Sequence, residues 1–282
     1  MSDIRNALTV DVEDYYQVSA FENHIPRDKW DKYPTRIEKN IEKILSLFSE
    51  YNISATFFVL GWIAERNPEI VRRIAESGHE IASHGYSHVR ITQQTPKEFQ
   101  EDIVKTKNIL ENICGIQVKG YRAASFSIDS ENHWAHAELE QAEYQYSSSI
   151  YPVRHDLYGI PDAPRFPYKP VGRNLYEIPI STIQWMKHRI PCGGGGYFRL
   201  YPYLFSRFMI SHVNNKESMP CIFYFHPWEL DVNQPRQEGL NIKTRTRHYL
   251  NLNRMESRIK RLLCDFRWDR MDNIFDRNNL DK

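Results

Sequence analysis

The sequence has little of what marks disulfide-rich, membrane-spanning or strongly charged proteins. Its 282 residues include four cysteines, which are widely separated and form no Cys-x-x-Cys pair, so neither a disulfide framework nor a cysteine-rich zinc site is expected. The longest apolar run, residues 57–64, is much shorter than the roughly 20 residues of a membrane-spanning helix. Lysine and arginine total 37 against 36 aspartate and glutamate, which argues against a chain-wide basic surface.

The N-terminal residues also lack an apolar signal core and a small-residue cleavage site. We therefore expect a cytoplasmic protein with reduced thiols, no nucleic-acid partner and no transmembrane segment. No repeat with a period of about 20 to 50 residues is present, which excludes solenoids and propellers. What the sequence does contain is 41% hydrophobic and 13% aromatic residues, which is enough to bury a large core.

Strand-like and helix-like segments alternate along the chain. The strand-like segments are short and apolar, and they include residues 7–12 (ALTVDV), 54–60 (SATFFVL), 80–83 (EIAS), 118–121 (VKGY), 175–180 (LYEIPI) and 221–225 (CIFYF). Strands that alternate with helices usually pair as a parallel sheet. About seven such units predict an α/β fold that closes into a distorted barrel rather than an open sheet.

The helices are predicted from capping signals and apolar stripes. Residues 35–50 and 95–114 each begin with a threonine that is followed three residues later by a glutamate, which is the spacing of a capping box. A final helix is predicted over residues 248–263. We expect residues 1–230 to form the barrel and residues 231–282 to form a helical extension packed on it.

Polar groups follow four of the predicted strands, where α/β barrels place their active sites. They are Asp11-Val12-Glu13-Asp14, Ser83-His84-Gly85-Tyr86-Ser87-His88, Arg122, and His226-Pro227-Trp228-Glu229. Three carboxylates within four residues repel one another unless a cation compensates them, although a solvated acidic turn is a common alternative. The His-x3-His spacing lets two imidazoles bind one metal, but in a chain with 11 histidines it also arises by chance.

The other two groups are also open to a plain structural interpretation. An arginine at a strand end can pair with a buried carboxylate, and it can equally be an ordinary surface residue. A histidine at a strand end, next to proline and tryptophan, suits a general acid, but as a single feature it is more typical of a hydrogen-bonded core histidine.

In this order, the four groups resemble the NodB-homology polysaccharide deacetylases, carbohydrate esterase family four. The resemblance runs from Leu8 to Trp228, and it is strongest in the His-x3-His motif with its leading serine and in FYFHPWEL. TVDVEDYY, GGGYFR and FHPWEL resemble the branch associated with exopolysaccharide gene clusters, which carries a helical C-terminal extension. The resemblance implies a NodB-like barrel and a metal-dependent hydrolase that removes an N-acetyl group from an amino sugar in a cell-surface or exopolysaccharide glycan or its precursor.

The resemblance also implies a role for each matching residue. Asp11 would be the catalytic base, Arg122 would orient it, and His226 would be the catalytic acid. His84 and His88 would be metal ligands. The metal would be Zn²⁺, and Co²⁺, Ni²⁺ or Fe²⁺ would also suit these ligands.

Two departures from the family pattern affect the expected site. The family has adjacent aspartates in Thr-Phe-Asp-Asp, whereas here Val12 and Glu13 separate Asp11 from Asp14. The carboxylate ligand is therefore either Asp14, which has the usual residue type, or Glu13, which has the strand phase of Asp11; we favour Asp14. Ala124 stands where the family commonly has proline, which changes the wall beside Arg122.

Several aromatic residues and a glycine run are further candidates for substrate binding. Tyr86, Phe126, Tyr197 and Trp228 can stack on sugar rings, although such residues are more often part of a core. The glycines at 193–196 permit close approach to a sugar or form a flexible loop. Two alternative functions remain at this point: a small-amide or cyclic-ureide hydrolase of the same fold, and a glycan-binding barrel without catalysis.

Overall fold

A curled sheet of parallel strands forms the centre of the protein. The computed structural model describes residues 3–156, 158–276 and 280. Within these residues the sheet contains β1 (Arg5–Val12), β2 (Thr56–Val59), β3 (Glu80–Ser83), β4 (Gly120–Tyr121), β5 (Tyr146–Ser147), β6 (Tyr176–Glu177), β9 (Ile222–Phe225) and β10 (Arg267–Asp269). A separate antiparallel hairpin, which was not predicted, contains β7 (Thr182–Trp185) and β8 (His188–Pro191).

β1 is the central strand of this sheet. It pairs with β2, and β3, β4, β5 and β6 follow outward from β2 in that order. β9 pairs with residues 7–10 of β1, and β10 pairs with residues 5–7. These pairings are all parallel, so the carboxyl ends of the strands lie on one side of the sheet. The predicted distorted (β/α) barrel is confirmed.

The helices lie between the strands and after the last long strand. In the described part of the chain they are α1 (Ile37–Glu50), α2 (Gly61–Arg66), α3 (Pro68–Glu76), α4 (Pro96–Cys114), α5 (Ala135–Gln141), α6 (Gly195–Leu200), α7 (Tyr203–Lys216), α8 (Ile242–Tyr249), α9 (Leu252–Asp265) and α10 (Met271–Ile274). Ile41 and Phe48 of α1 share one buried cluster with Val10 of β1 and Phe57 of β2. Each such side chain contributes about 1.5–3 kcal/mol by leaving water, so the helices are held on the sheet by their apolar faces.

The start of α1 differs from the predicted capping box. The helix begins at Ile37, and Arg36 before it makes no side-chain cap. Instead Oδ2 of Asp14 accepts hydrogen bonds from the Thr35 hydroxyl (2.8 Å) and from the Arg36 N–H (2.7 Å). A carboxylate from the loop after β1 therefore satisfies the helix terminus. A local capping pattern cannot reveal a partner that is 22 residues away.

Other helix predictions are partly confirmed. α4 has the predicted capping box of Thr95 and Glu98, and Gly115 ends it in the left-handed conformation (φ 69°). The predicted final helix is instead two helices, α8 and α9, because the chain turns at Leu250 and Asn251, where Asn251 has a φ of 53°.

The C-terminal segment packs on the barrel and also contributes a strand to it. β10 lies in the central sheet beside the start of β1, and Nη1 of Arg5 is 2.9 Å from the Asp269 carboxylate. The extension is therefore mostly but not entirely helical, and a domain boundary at residue 230 stays a prediction. None of the helices described here combines the length and the apolar character that crossing a membrane requires.

His79 is buried just before β3 as a neutral imidazole. Its Nδ1 accepts a hydrogen bond from the Ala55 N–H (3.2 Å), and its ring contacts Phe48 and Phe57. Burial, together with the charge of Arg270, lowers the pKa of His79 from 6.5 to about 4. Between these pH values the unfolded chain binds a proton that the folded chain does not. This contribution to stability is complete above pH 6.5 and is lost as the pH falls towards 4.

We predict that the stability of a His79→Gln variant depends less on pH than that of the wild type between pH 4 and 6.5. The wild type should lose up to about 1.4 kcal/mol per pH unit from this residue, and the variant should not. Urea unfolding at several pH values measures the two slopes. The slopes rather than the absolute stabilities are compared, because loss of the ring weakens packing at every pH. Equal slopes would contradict the prediction.

Candidate functional site

The carboxyl ends of four strands bring the predicted polar groups together. The register aligns Val12 at the end of β1 with Val59, Ser83 and Tyr121 at the ends of the next three strands. β9 lies beside β1 and ends at Phe225. The residues that follow these strand ends therefore emerge on one side of the barrel: Glu13, His84, Arg122 and His226.

Glu13, His84 and His88 form the group of potential metal ligands that the described residues contain. Their ligand atoms all lie within 4.8 Å of one another, and all three side chains are buried. Oε1 of Glu13 is 3.1 Å from Nε2 of His84 and 3.1 Å from Nε2 of His88. Two imidazoles and one carboxylate are a ligand set that leaves metal positions free for water and substrate.

The backbone of residues 84–88 turns both imidazoles to the same side. This segment is a loop and not a helix, in agreement with the sequence, and Gly85 (φ 72°) and His88 (φ 53°) have left-handed conformations. Such a φ is uncommon for a residue other than glycine and needs support from its surroundings. Arg27 supplies support, because Nε donates to the Ser87 carbonyl and Nη2 donates to the His88 carbonyl, both at 2.8 Å.

Asp14, which we favoured as the carboxylate ligand, is not part of this group. Successive side chains of an extended chain point to opposite sides, so Asp11 and Glu13 share one side and Asp14 does not. Asp14 instead satisfies the start of α1, and its Oδ1 accepts a hydrogen bond from the Tyr15 N–H (2.8 Å). The carboxylate that lies beside the two imidazoles is that of Glu13, the alternative that strand phase favours.

The hydrogen bonds of His84 show that this group suits a metal ion. Nδ1 of His84 is 2.8 Å from the Arg122 carbonyl oxygen, which can only accept, so Nδ1 carries a proton. In a neutral imidazole Nε2 then points a lone pair at Glu13, whose carboxylate also only accepts, 3.1 Å away. A cation must bridge these atoms, either as an extra proton or as a metal ion. A backbone carbonyl on Nδ1 is the usual outer contact of a metal-binding histidine.

Asp11 and Arg122 form a buried ion pair beside the potential ligands. Nη1 of Arg122 donates to Oδ1 of Asp11 (2.6 Å) and to the Thr9 hydroxyl (2.8 Å), while Nε and Nη2 donate to Ser148. The guanidinium carbon lies 4.0 Å from the ring centroid of Phe58. Removing one partner of a buried pair costs about 3–5 kcal/mol, because the other charge is left unpaired. The carboxylate of Asp11 is therefore held in one orientation.

His226 lies on the solvent side of Glu13. Its Nε2 is 3.7 Å from Oε1 of Glu13, and its side chain is 19% exposed against 3% for Glu13. Nδ1 of His226 lies 2.9 Å from Oε1 of Glu229, which also accepts the His226 backbone N–H at 3.0 Å. Because a carboxylate only accepts, Nδ1 carries a proton, and Nε2 is the nitrogen that faces the potential ligands.

Neighbouring charges set the protonation of His226 and its partners. Burial lowers the pKa of His226, but the carboxylates of Glu13 and Glu229 outweigh burial and raise it to about 9. Burial raises the pKa of Glu229, but Arg199 and His226 hold it at about 2. Burial also raises the pKa of Glu13, and the contacts with His88, His226 and His84 outweigh it, so that this pKa lies well below its ordinary value. His226 is thus cationic at neutral pH and able to donate a proton.

Two of the four aromatic residues proposed to stack on sugars are covered by other side chains. Phe126 is 5% exposed, and its ring centroid lies 4.8 Å from that of Tyr224. Trp228 is also 5% exposed and lies between the rings of His226 (5.2 Å) and His248 (4.1 Å). Neither ring offers an open face for a sugar, because each is almost fully buried.

The other two aromatic residues are partly exposed. Nζ of Lys105 lies 3.3 Å from the ring centroid of Tyr86, and the Tyr86 hydroxyl donates to Glu65. Tyr197 stacks on Tyr201 with ring centroids 5.9 Å apart. Binding of a sugar by Tyr86 or Tyr197 stays a prediction.

Three of the four glycines, residues 193–195, pack against the barrel, and Gly195 and Gly196 begin α6. A Cβ at Gly193 would lie 2.2 Å from the carbonyl oxygen of Ile222 in β9, and a Cβ at Gly195 would lie 2.3 Å from the Glu229 carboxylate. The close approach that the glycines permit is therefore to the protein's own backbone and to a partner of His226.

Three residues that support the site were not predicted: Arg27, Arg199 and Glu229. Glu229 does have a local signal, since it follows His226 by three residues and its carboxylate accepts the His226 backbone N–H, as the glutamate of a capping box does. Arg27 and Arg199 lie far along the chain from their partners, and although Arg199 ends the GGGYFR motif, that motif does not indicate its partner.

Comparisons with protein families divide the chain into two parts. Residues 29–147 match the family described as polysaccharide deacetylase, and residues 148–276 match a domain of unknown function, DUF3473. The two histidines of the potential metal site lie in the first match, and His226 lies in the second. β1, which contains Asp11, and Glu13, which follows it, precede both matches.

Curated relatives match a limited part of the chain. A peptidoglycan-N-acetylglucosamine deacetylase of Bacillus cereus is 39% identical over 94 residues, which are 33% of this chain and 34% of that protein. A peptidoglycan deacetylase of Helicobacter pylori is 33% identical over 86 residues, 30% of this chain and 29% of that protein. The chain thus spans about a third of the length of these relatives.

Solved structures match nearly the whole chain. A protein from Mycobacterium smegmatis whose proposed activity is that of a polysaccharide deacetylase superposes with a TM-score of 0.63 and 19% identity, covering 97% of this chain and 89% of that one. At this identity the similarity concerns the fold, and it agrees with the NodB-like barrel. The two family matches agree with this fold: residues 29–147 are similar to the polysaccharide deacetylase family, and residues 148–276 are similar to DUF3473.

Proposed function

We propose that this protein is a metal-dependent hydrolase that removes the N-acetyl group from an amino sugar in a cell-surface glycan or its precursor. The observation that carries this proposal is the meeting of Glu13, His84 and His88 with the ion-paired Asp11 and with His226 at one end of the barrel. Hydrolysis of an amide needs a polarised carbonyl, a base for the attacking water and an acid for the leaving amine. The peptidoglycan deacetylases among the relatives support the substrate class.

Glu13, His84 and His88 would hold the metal ion. We propose Zn²⁺, because nitrogen and oxygen ligands in this number are typical of its catalytic sites, while Co²⁺, Ni²⁺ and Fe²⁺ also suit them. When bound, such an ion lowers the pKa of a water molecule and polarises the acetyl carbonyl.

Asp11 would accept the proton of the attacking water. Its Oδ1 is held by Nη1 of Arg122, which Thr9 and Ser148 fix in turn. The second carboxylate oxygen, Oδ2, is then the atom that takes the proton. Arg122 acts as a positioning residue and need not contact the substrate.

His226 would donate a proton from Nε2 to the leaving amine. An amine is a poor leaving group without a proton, and general acid catalysis of this kind contributes about 10²–10⁴-fold to the rate. Glu229 holds the Nδ1–H, so that the ring keeps Nε2 directed towards the potential ligands.

The finer points of substrate and location rest on the sequence. The motifs TVDVEDYY and FHPWEL favour an exopolysaccharide as the source of the glycan, and a cytoplasmic location would favour a precursor over a finished polymer. Both stay predictions. A hydrolase of small amides and a glycan-binding barrel without turnover remain the alternatives that experiment must separate.

Metal content tests the ligand assignment. We predict about one zinc-like ion per wild-type chain after loading, and loss of at least about 100-fold in affinity for Glu13→Gln and His84→Ala, since each removes a ligand. Asp14→Asn is the matched control from the same acidic turn and should retain the ion. Elemental analysis and zinc titration give the result. A metal-free Asp14→Asn protein beside a loaded Glu13→Gln protein would reverse the assignment.

Acetate release tests the activity itself. We predict that the zinc-loaded protein releases acetate from N-acetylglucosamine oligomers and that Asp11→Asn or His226→Gln lowers kcat by about 10²–10⁴-fold, because each lacks a proton-transfer group. His212→Gln, on the outer side of α7, is the histidine control and should keep wild-type kcat.

The substrate panel separates the alternatives. Turnover of small amides or cyclic ureides without turnover of the oligomers would favour a small-amide hydrolase. Oligomer binding in calorimetry without acetate release under any loaded metal would favour a glycan-binding barrel without catalysis.

A further inference from the structure

We propose that Arg199 is a positioning residue through which the turn between α8 and α9 holds His226 in place for proton donation. The inference rests on the proposed role of His226 as the general acid. It assigns a part in catalysis to the C-terminal segment, which the DUF3473 match leaves without a function.

Arg199 lies in α6 and links two parts of the chain that are distant in sequence. It is 2% exposed. Its Nε donates to Oε2 of Glu229 (2.6 Å), and its Nη atoms donate to the carbonyl oxygens of Arg247 (3.1 Å), His248 (2.9 Å) and Leu250 (2.7 Å). The Nε–H of the guanidinium group therefore binds a carboxylate, and the N–H groups of its Nη atoms bind the end of α8.

The end of α8 needs a partner of this kind. The last carbonyl groups of a helix have no N–H partner within the helix, and a nearby positive charge is favourable there. The chain turns immediately afterwards, at Asn251, so these carbonyls converge on one point. Because the turn fixes several carbonyls at once, it fixes the plane of the Arg199 side chain.

Glu229 connects the fixed side chain of Arg199 to His226. The carboxylate is fully buried and both of its oxygens are occupied: Oε2 by Arg199, and Oε1 by Nδ1 and the backbone N–H of His226. Gly195 lies so close that any side chain there would collide with the carboxylate. A carboxylate that is held through both of its oxygens cannot rotate. Arg199 therefore sets the direction of the Nδ1–H bond of His226, and with it the direction of Nε2.

A second contact from α8 supports the same imidazole. His248 stacks on Trp228 with ring centroids 4.1 Å apart, and Trp228 stacks on His226 at 5.2 Å. Nε2 of His248 is 2.7 Å from Oε1 of Gln234, which holds the outer ring of this stack. α8 therefore reaches His226 by a polar route through Arg199 and by an aromatic route through Trp228.

If Arg199 positions His226, the loss of kcat on changing Arg199 should depend on the leaving group of the substrate. The amine of an N-acetyl amino sugar must be protonated as it leaves, whereas the nitrophenolate of 4-nitrophenyl acetate leaves without a proton. Both substrates need the same base and the same polarised carbonyl. Misplacement of His226 should therefore slow the first reaction and spare the second.

The experiment compares Arg199→Lys and Arg258→Lys in the zinc-loaded full-length protein. Arg258 is a matched control, since Nη1 donates to the carbonyls of Phe198, Arg199 and Tyr201 around α6 but does not contact Glu229. Substrates are N-acetylglucosamine oligomers and 4-nitrophenyl acetate. For Arg199→Lys we expect kcat on the oligomers to fall about 10–100-fold, with KM and ester hydrolysis changed less than about threefold. Arg258→Lys should keep wild-type values on both substrates.

Two results would overturn the inference. Equal losses on both substrates would mean that Arg199→Lys distorts the whole site, and an unchanged kcat on the oligomers in a folded variant would mean that Arg199 has no part in proton donation. If Arg199→Lys does not fold, Glu229→Gln gives the same test, because a neutral amide cannot accept from both Arg199 and His226.

A readout without turnover separates this inference from the proposed function. If the wild type hydrolyses no oligomer, the proposed function fails, and the position of His226 is then measured by NMR. The downfield Nδ1–H signal, identified by its absence from His226→Gln, should remain in Arg258→Lys and should be lost or shifted in Arg199→Lys. An unshifted signal in Arg199→Lys would overturn the positioning role.

Discussion

The buried carboxylate of Glu13 is the constraint on which the rest of the site depends. Its Oε1 lies within 3.1 Å of the Nε2 atoms of two histidines and 3.7 Å from Nε2 of a third. A negative charge withdrawn from water in this way is stable only with a compensating cation. The surrounding contacts keep the nitrogen lone pairs directed at one point: the Arg122 carbonyl fixes the tautomer of His84, and Arg27 holds the strained backbone of His88.

Arg122 couples the proposed base to the proposed metal site. Its side chain holds Asp11, while its backbone carbonyl accepts the Nδ1–H of His84. One residue at the end of β4 thus orients a carboxylate on β1 and an imidazole after β3. The arginine is fully buried, and Thr9 and Ser148 accept three more of its five N–H groups, so neither interaction can shift without the other. Arg122 is therefore not an ordinary surface residue, which was the alternative interpretation of the sequence.

The site is assembled from three stretches of chain that family boundaries separate. Glu13 comes directly after β1, the two histidines come from the polysaccharide deacetylase match, and His226 comes from the DUF3473 match. The glycine segment and Arg199 then connect His226 to the last helices. The C-terminal part is therefore structurally continuous with the barrel, and β10 even joins the central sheet.

The sequence by itself determined the barrel and most of the polar groups at its strand ends, because short apolar strands, capping signals and the His-x3-His spacing are local properties of the chain. Only the tertiary structure showed that Glu13, and not Asp14, lies beside the two histidines, since that arrangement depends on the side of the chain to which each carboxylate points and on a helix start 22 residues away. It also decided the roles of Arg27, Arg199 and the glycine segment. Their partners lie on other strands and helices, and long-range packing of that kind leaves no periodic trace in a sequence.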